Sequence, residues 1–169
     1  MTSSKRNKRN PSADTSLPII LDMLDRAYDR KSWHGTNLKG SIRGLKASQA
    51  SWRPAANRHS IWEIVNHAAY WKYIVWRKLS GQLKTSFSIK GNNWFKQPEN
   101  PDDSEWKKAI ARLDNYHQLL RQTIEILPVS DFYRLAKNSK LLTIDFILGV
   151  AAHDLYHAGQ IQLLKRMQK

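Results

Sequence analysis

The chain contains no cysteine, which excludes disulfides and thiolate metal sites and leaves histidine and carboxylate as its strong metal ligands. No apolar run approaches the roughly 18 to 20 residues needed to cross a bilayer, so no membrane span is expected. The first residues, MTSSKRNKRNPSADTS, are basic but have no apolar stretch behind them, and a secretory leader is not expected. With no other address legible, a cytoplasmic location is the expectation. Acidic residues are also scarce. Only 14 Asp and Glu face 28 Lys and Arg, a formal net charge of +14.

What remains is ordinary for one soluble globular domain: 169 residues, 41% hydrophobic and 25% charged. The surplus of positive charge could attract nucleic acid or an anionic surface without any specific site. Lys5, Arg6, Lys8 and Arg9 crowd one end, and Lys165, Arg166 and Lys169 the other. The other basic residues lie on faces turned away from the apolar stripes, and the aromatic interleaving that stacks on single strands is missing from the tail. A solvated basic surface is therefore preferred over a nucleic-acid interface.

Residues 1–13 are polar and basic and are expected to be a disordered tail, leaving 14–169 as the folded domain. Ser16 is read as the N-cap of a first helix carrying Ile20, Leu24 and Tyr28. Gly35 is expected to bend or break it, with Leu38, Ile42 and Leu45 continuing the stripe. Ser60 and Glu63 form an S-x-x-E capping box that starts the second helix, with Ile64, His67, Trp71 and Ile74 on one side and Gly81 as its C-terminal cap. Residues 82–101 hold Gly91, Asn92, Asn93, Pro98 and Pro101, a long connection of the kind that crosses a bundle end or shapes a site. A third helix is expected from about Ser104 to Leu127, stopped by Pro128. A fourth is capped by Thr143 and carries Phe146, Ile147, Val150, Leu155, Ile161 and Leu164. Four long amphipathic helices predict an all-α fold, an up-down four-helix bundle.

Within the fourth helix His153 and His157 form H-x-x-x-H. Four residues at 100° each place the two imidazoles about 40° apart, one turn above the other, which lets both bind one ion. The glutamate of H-E-x-x-H is absent, so no zincin-type protease is implied. His67 lies on the apolar side of the second helix. A histidine there is more often a satisfied core residue, but with the other pair it completes three neutral imidazoles from two helices, with positions left for water or substrate. Imidazole suits Zn, Ni, Fe or Cu, the first three foremost.

Candidate catalytic residues are Gln160, three residues past His157 on nearly the same face and able to orient a ligand, Glu63, one turn before His67, and Tyr70, a potential proton donor. A capping role is the simpler account of Glu63, and aromatic packing that of Tyr70 and of Tyr156. Asp154 points roughly 100° away from its neighbouring ligand and is read as a surface or supporting carboxylate. His34 is assigned to the first helix, with a reach to the cavity, and His59 and His117 to the surface.

The motif Asn66-His67-Ala68-Ala69-Tyr70-Trp71 followed by His153-Asp154-Leu155-Tyr156-His157-Ala158-Gly159-Gln160-Ile161 resembles the DinB-like superfamily, which includes the YfiT-like metalloenzymes. Trp33-His34-Gly35, Trp52-Arg53-Pro54 and Ser60-Ile61-Trp62-Glu63 are similar to the forms seen in one branch. The likeness spans about residues 17 to 165 and leaves out the basic tail. It implies a four-helix bundle, commonly a homodimer, holding a divalent metal on His67, His153 and His157. Relatives of this kind include transferases that use low-molecular-weight thiols and a thiol-dependent isomerase. The expected function is a metal-dependent enzyme on a small molecule, as a hydrolase or a thiol transferase. A small thiol cofactor would supply the thiolate that this cysteine-free chain lacks. The alternative is a basic nucleic-acid or anionic-surface binder with a purely structural metal.

Overall fold

Apolar stripes at helical spacing become helices throughout the computed structural model, which describes residues 16–91 and 93–168. The tail expected at 1–13 lies outside the described residues. Among the described residues seven helices follow in order: α1 (Ser16–Tyr28), α2 (Leu38–Ile42), α3 (Ala47–Ser51), α4 (Ile61–Ser80), α5 (Asp103–Ile126), α6 (Val129–Phe132) and α7 (Thr143–Met167). No strand occurs among the described residues; Leu135 and Leu142 form an isolated antiparallel bridge. The fold is all-α, as expected, and α1, α4, α5 and α7 are its long members. None of these helices is long and apolar enough to cross a membrane.

α4 starts as its sequence dictates. The Ser60 hydroxyl accepts from the Glu63 N–H at 3.3 Å, and the Glu63 carboxylate accepts from the Ser60 N–H at 3.4 Å. Gly81 ends it with φ of 73°, a left-handed conformation that glycine adopts without a Cβ penalty. Two boundaries differ from expectation. The stripe at Leu38, Ile42 and Leu45 belongs to a separate short helix, α2, because the chain leaves α1 after Tyr28 and turns through Gly35 at φ of 103°. Thr143 is the first residue of α7, not its cap. Leu142 holds the cap position, and the Asp145 carboxylate accepts its N–H at 2.8 Å.

α4 packs against both α5 and α7, and α1 packs against α7 and α5. Two apolar clusters fill the interior: one joins Trp62, Trp106, Leu113 and Ile161, the other Leu24, Val75, Leu120, Ile124 and Ile147. Between them runs a polar seam. Lys72 on α4 and Asp154 on α7 are both fully buried and form an ion pair. Lys72 Nζ also lies 3.4 Å from His117 Nδ1 and over the ring of Tyr28. Tyr28 stacks on His117 with centroids 3.7 Å apart, and its hydroxyl donates to Asp114, which Lys39 also reaches.

Two sequence assignments are thereby corrected. His117 is buried, because it follows Leu113 by one turn and precedes Leu120 on the inward stripe of α5. Asp154 is likewise interior, because Ile147, Val150, Ala151, Asp154, Ala158 and Ile161 share one face of α7.

Removing one member of a buried pair leaves an uncompensated charge and costs about 3 to 5 kcal/mol. Asp154→Ala is expected to lose about that much unfolding free energy in urea titrations, by the same argument. The double variant Lys72→Met/Asp154→Leu is expected to recover most of it. A double variant as unstable as the single one would show that the pair contributes by more than charge compensation.

Candidate metal centre

His67 from α4 and the His153/His157 pair from α7 meet at one point. His67 Nε2 lies 3.1 Å from His153 Nε2, and His157 Nε2 lies 3.0 Å from His153 Nε2. One ligand atom from each of the three falls within 4.8 Å of the others. The 400° sweep from 153 to 157 brings the pair onto one side of α7, as the spacing predicted.

Two of the rings are pinned from behind. His67 Nδ1 donates to the Asn93 carbonyl oxygen at 2.9 Å, and His157 Nδ1 donates to Gln160 Oε1 at 2.7 Å. A carbonyl only accepts, so both Nδ1 atoms carry the proton and both Nε2 atoms present lone pairs inward. His153 Nδ1 is buried without a partner, so that ring is held through its Nε2 side alone. A single proton on His153 Nε2 can satisfy one facing lone pair but not two. A cation at the common point satisfies all three. With N–metal bonds of about 2.05 Å, ligands at 90° stand about 2.9 Å apart and tetrahedral ones about 3.4 Å. Both spacings to His153 fall between these values, and with the third pair also within 4.8 Å the three residues can hold a divalent ion.

Electrostatics agree with geometry. Burial pushes His153 down to about 3, with the neighbouring imidazoles adding to the effect. Burial pushes His157 to about 4 against the opposing bond to Gln160, and lowers His67 as well. All three are therefore neutral at pH 7, the state a metal requires.

The connection at 82–101 closes the site. Asn93 adopts φ of 51°, a left-handed conformation that asparagine tolerates. There its carbonyl faces His67 while its Oδ1 accepts from Trp71 Nε1 at 2.9 Å. Trp94 lies flat between two rings, 3.9 Å from His67 and 3.7 Å from His59. Arg112 on α5 ties this loop down, donating to Ser88 Oγ at 2.9 Å and to Asn66 Oδ1 at 3.0 Å. Phe87 and Phe95 pack with Tyr70, Tyr73 and Tyr116 beneath it.

The other candidates fall at varied distances from this point. Gln160 holds His157 and donates from Nε2 to the Tyr156 hydroxyl at 3.0 Å. The Glu63 carboxylate is taken up by Arg53, His59 and the Ser60 N–H. Tyr70 sits half-buried in the aromatic cluster. Tyr156, expected to be packed, is 63% exposed because it faces away from the α7 stripe. His59 is exposed as expected, though stacked on Trp94. His34 lies in the exposed turn after α1, not on a helix, because α1 ends at Tyr28.

Asn93 and Trp94 were missed in the sequence. Their only local signal is in composition, turn-favouring residue types at 91–93 followed by an aromatic at Trp94. Lys72 was missed too, although it repeats at one turn between Ala68 and Val75 on a buried face.

Acid is expected to destabilise the metal-free chain. His67, His117, His153 and His157 all have folded pKa values below the ordinary 6.5. As pH falls through 6.5 the unfolded imidazoles take protons that the folded ones refuse, so stability drops from there toward about 4. Asp154, raised by burial against the pull of Lys72, acts in the opposite direction but is one group against four. Urea midpoints at pH 7.5 and 5.0 should differ, the second being lower; equal midpoints would refute buried neutral imidazoles.

Comparison with known proteins agrees with this geometry. No curated protein and no solved structure matches the chain. A family model described as the DinB superfamily matches residues 32–161, which takes in all three imidazoles and the loop that closes over them. On that match over most of its length, the chain belongs to the DinB superfamily.

Proposed function

We propose that the protein is a metal-dependent enzyme acting on a small molecule, as a hydrolase or a transferase that uses a low-molecular-weight thiol. One observation carries this: the Nε2 atoms of three neutral imidazoles meet at a common point, where no arrangement of protons satisfies all of them. When bound, a divalent ion such as Zn, Ni or Fe would supply Lewis acidity to a water or to the thiolate of a cofactor. The absence of cysteine from the chain suits the second use.

The chain's own residues do the rest. Asn93 and Gln160 fix the tautomers of His67 and His157 and so aim their Nε2 atoms. Trp94 covers His67 and excludes water from that side. Gln160 is itself held from the surface side, its Nε2 donating to the Tyr156 hydroxyl, so Tyr156 helps to position the bond that aims His157. Glu63 we read as the cap of α4 and Tyr70 as part of the floor under the loop.

Elemental analysis of protein purified without an affinity tag is expected to find one divalent ion per chain. His153→Ala should lose it while keeping its helical content. Metal content unchanged in His153→Ala would end this reading. Gln160→Leu should keep the stoichiometry but weaken affinity by about 10- to 100-fold, the usual cost of losing a ligand's orienting bond. Competition with a chelator of known affinity measures it.

A further inference from the structure

A cavity of about 260 Å³ opens between α4 and α7 beside His153, one of the three imidazoles. Trp71 and Val75 form one wall, Phe146, Gly149 and Val150 the other, and His153 is shared between the cavity and the centre. An apolar cavity of about 150 Å³ is enough to hold benzene, so this one has room for an aromatic ring or a branched alkyl group.

Gly149 keeps it open. Glycine is the weakest helix former after proline, yet this one lies inside α7. Its backbone is not left-handed, and no atom lies within 4 Å of where a Cβ would stand. Neither backbone conformation nor close packing calls for glycine here. Gly149 is exposed where it lines the cavity, so a large side chain there would stand in the open space at the cavity's edge. At the edge, the exposed Asp145 carboxylate presents negative charge to whatever enters.

We propose that this cavity is the substrate's recognition subsite. It takes a compact apolar group, aromatic or branched aliphatic, bearing no negative charge at its far end, while the reacting polar head faces the imidazoles. The proposal rests on the metal-centre reading above, and adds to it which part of the substrate is recognised and where.

Hydroxamates separate the two claims, because they chelate a metal through the same head whatever group they carry. With zinc-loaded protein and calorimetry, benzohydroxamate is expected to bind at least about tenfold more tightly than acetohydroxamate, the gain of burying much of a ring. In 4-carboxybenzohydroxamate, the negative charge beside Asp145 should cancel that gain. Gly149→Leu, checked for unchanged melting and metal content, should remove the advantage and leave acetohydroxamate as it was. Equal affinities for the two hydroxamates, or an advantage untouched by Gly149→Leu, would overturn the subsite. An undiminished gain in the carboxylated ring would overturn its charge preference.

If no metal loads, the metal reading fails and the cavity is tested by itself. Toluene binding to the metal-free chain by ligand-observed NMR, lost in Gly149→Leu, supports the subsite. Absence of toluene binding overturns it.

Discussion

The buried pair of Lys72 and Asp154 is the contact on which the rest of the architecture turns. Two charges without solvent exposure are costly to desolvate, and Asp154 Oδ1 is left without any partner. Apolar residues would fill that volume with less penalty. What an ion pair does that leucines do not is choose a single rotation of α7 against α4, because only one setting brings ammonium and carboxylate together. The three imidazoles stand on those same two helices, and His153 is the residue before Asp154. Rotating α7 by one residue, about 100°, would bury an unpaired carboxylate and turn His153 away from His67 at once. The pair thus specifies a register that the apolar stripe alone would leave loosely defined.

The seam extends this constraint to the other helices. Through His117 and Tyr28, Lys72 contacts α5 and α1, and through Asp114 the seam reaches Lys39 on α2. Every long helix contributes a polar atom or ring to it. The second restraint on the centre comes from outside the bundle, from a loop clamped by Arg112 and floored by aromatic rings. Helices set the positions of the ligands; the loop sets the tautomer and orientation of one of them.

The division explains what could be read from the chain. The capping box at Ser60 and Glu63, the left-handed Gly81 and the one-turn spacing of His153 and His157 are local patterns, fixed by hydrogen-bond geometry within four residues. They were legible, and so was the all-helical fold. The place of His67 on the apolar side of its helix suggested its convergence with the pair, and the family resemblance supported it. Lys72 and Asp154 are 82 residues apart, and Asn93 is 26 from His67. No period connects such partners. His117 and Asp154 went astray for a different reason: His117 was placed at the surface and Asp154 was judged by its angle from His153, when the position of each on an apolar stripe already placed it inside.

The flat stack of His59, Trp94 and His67 has a consequence for access. Lifting the loop away from His67 breaks two ring faces, strips the Asn93 bond from the imidazole and strains the Arg112 clamp, all in one movement. On this face the centre is sealed by packing and hydrogen bonds together, and the cavity beside His153 is left as the other approach.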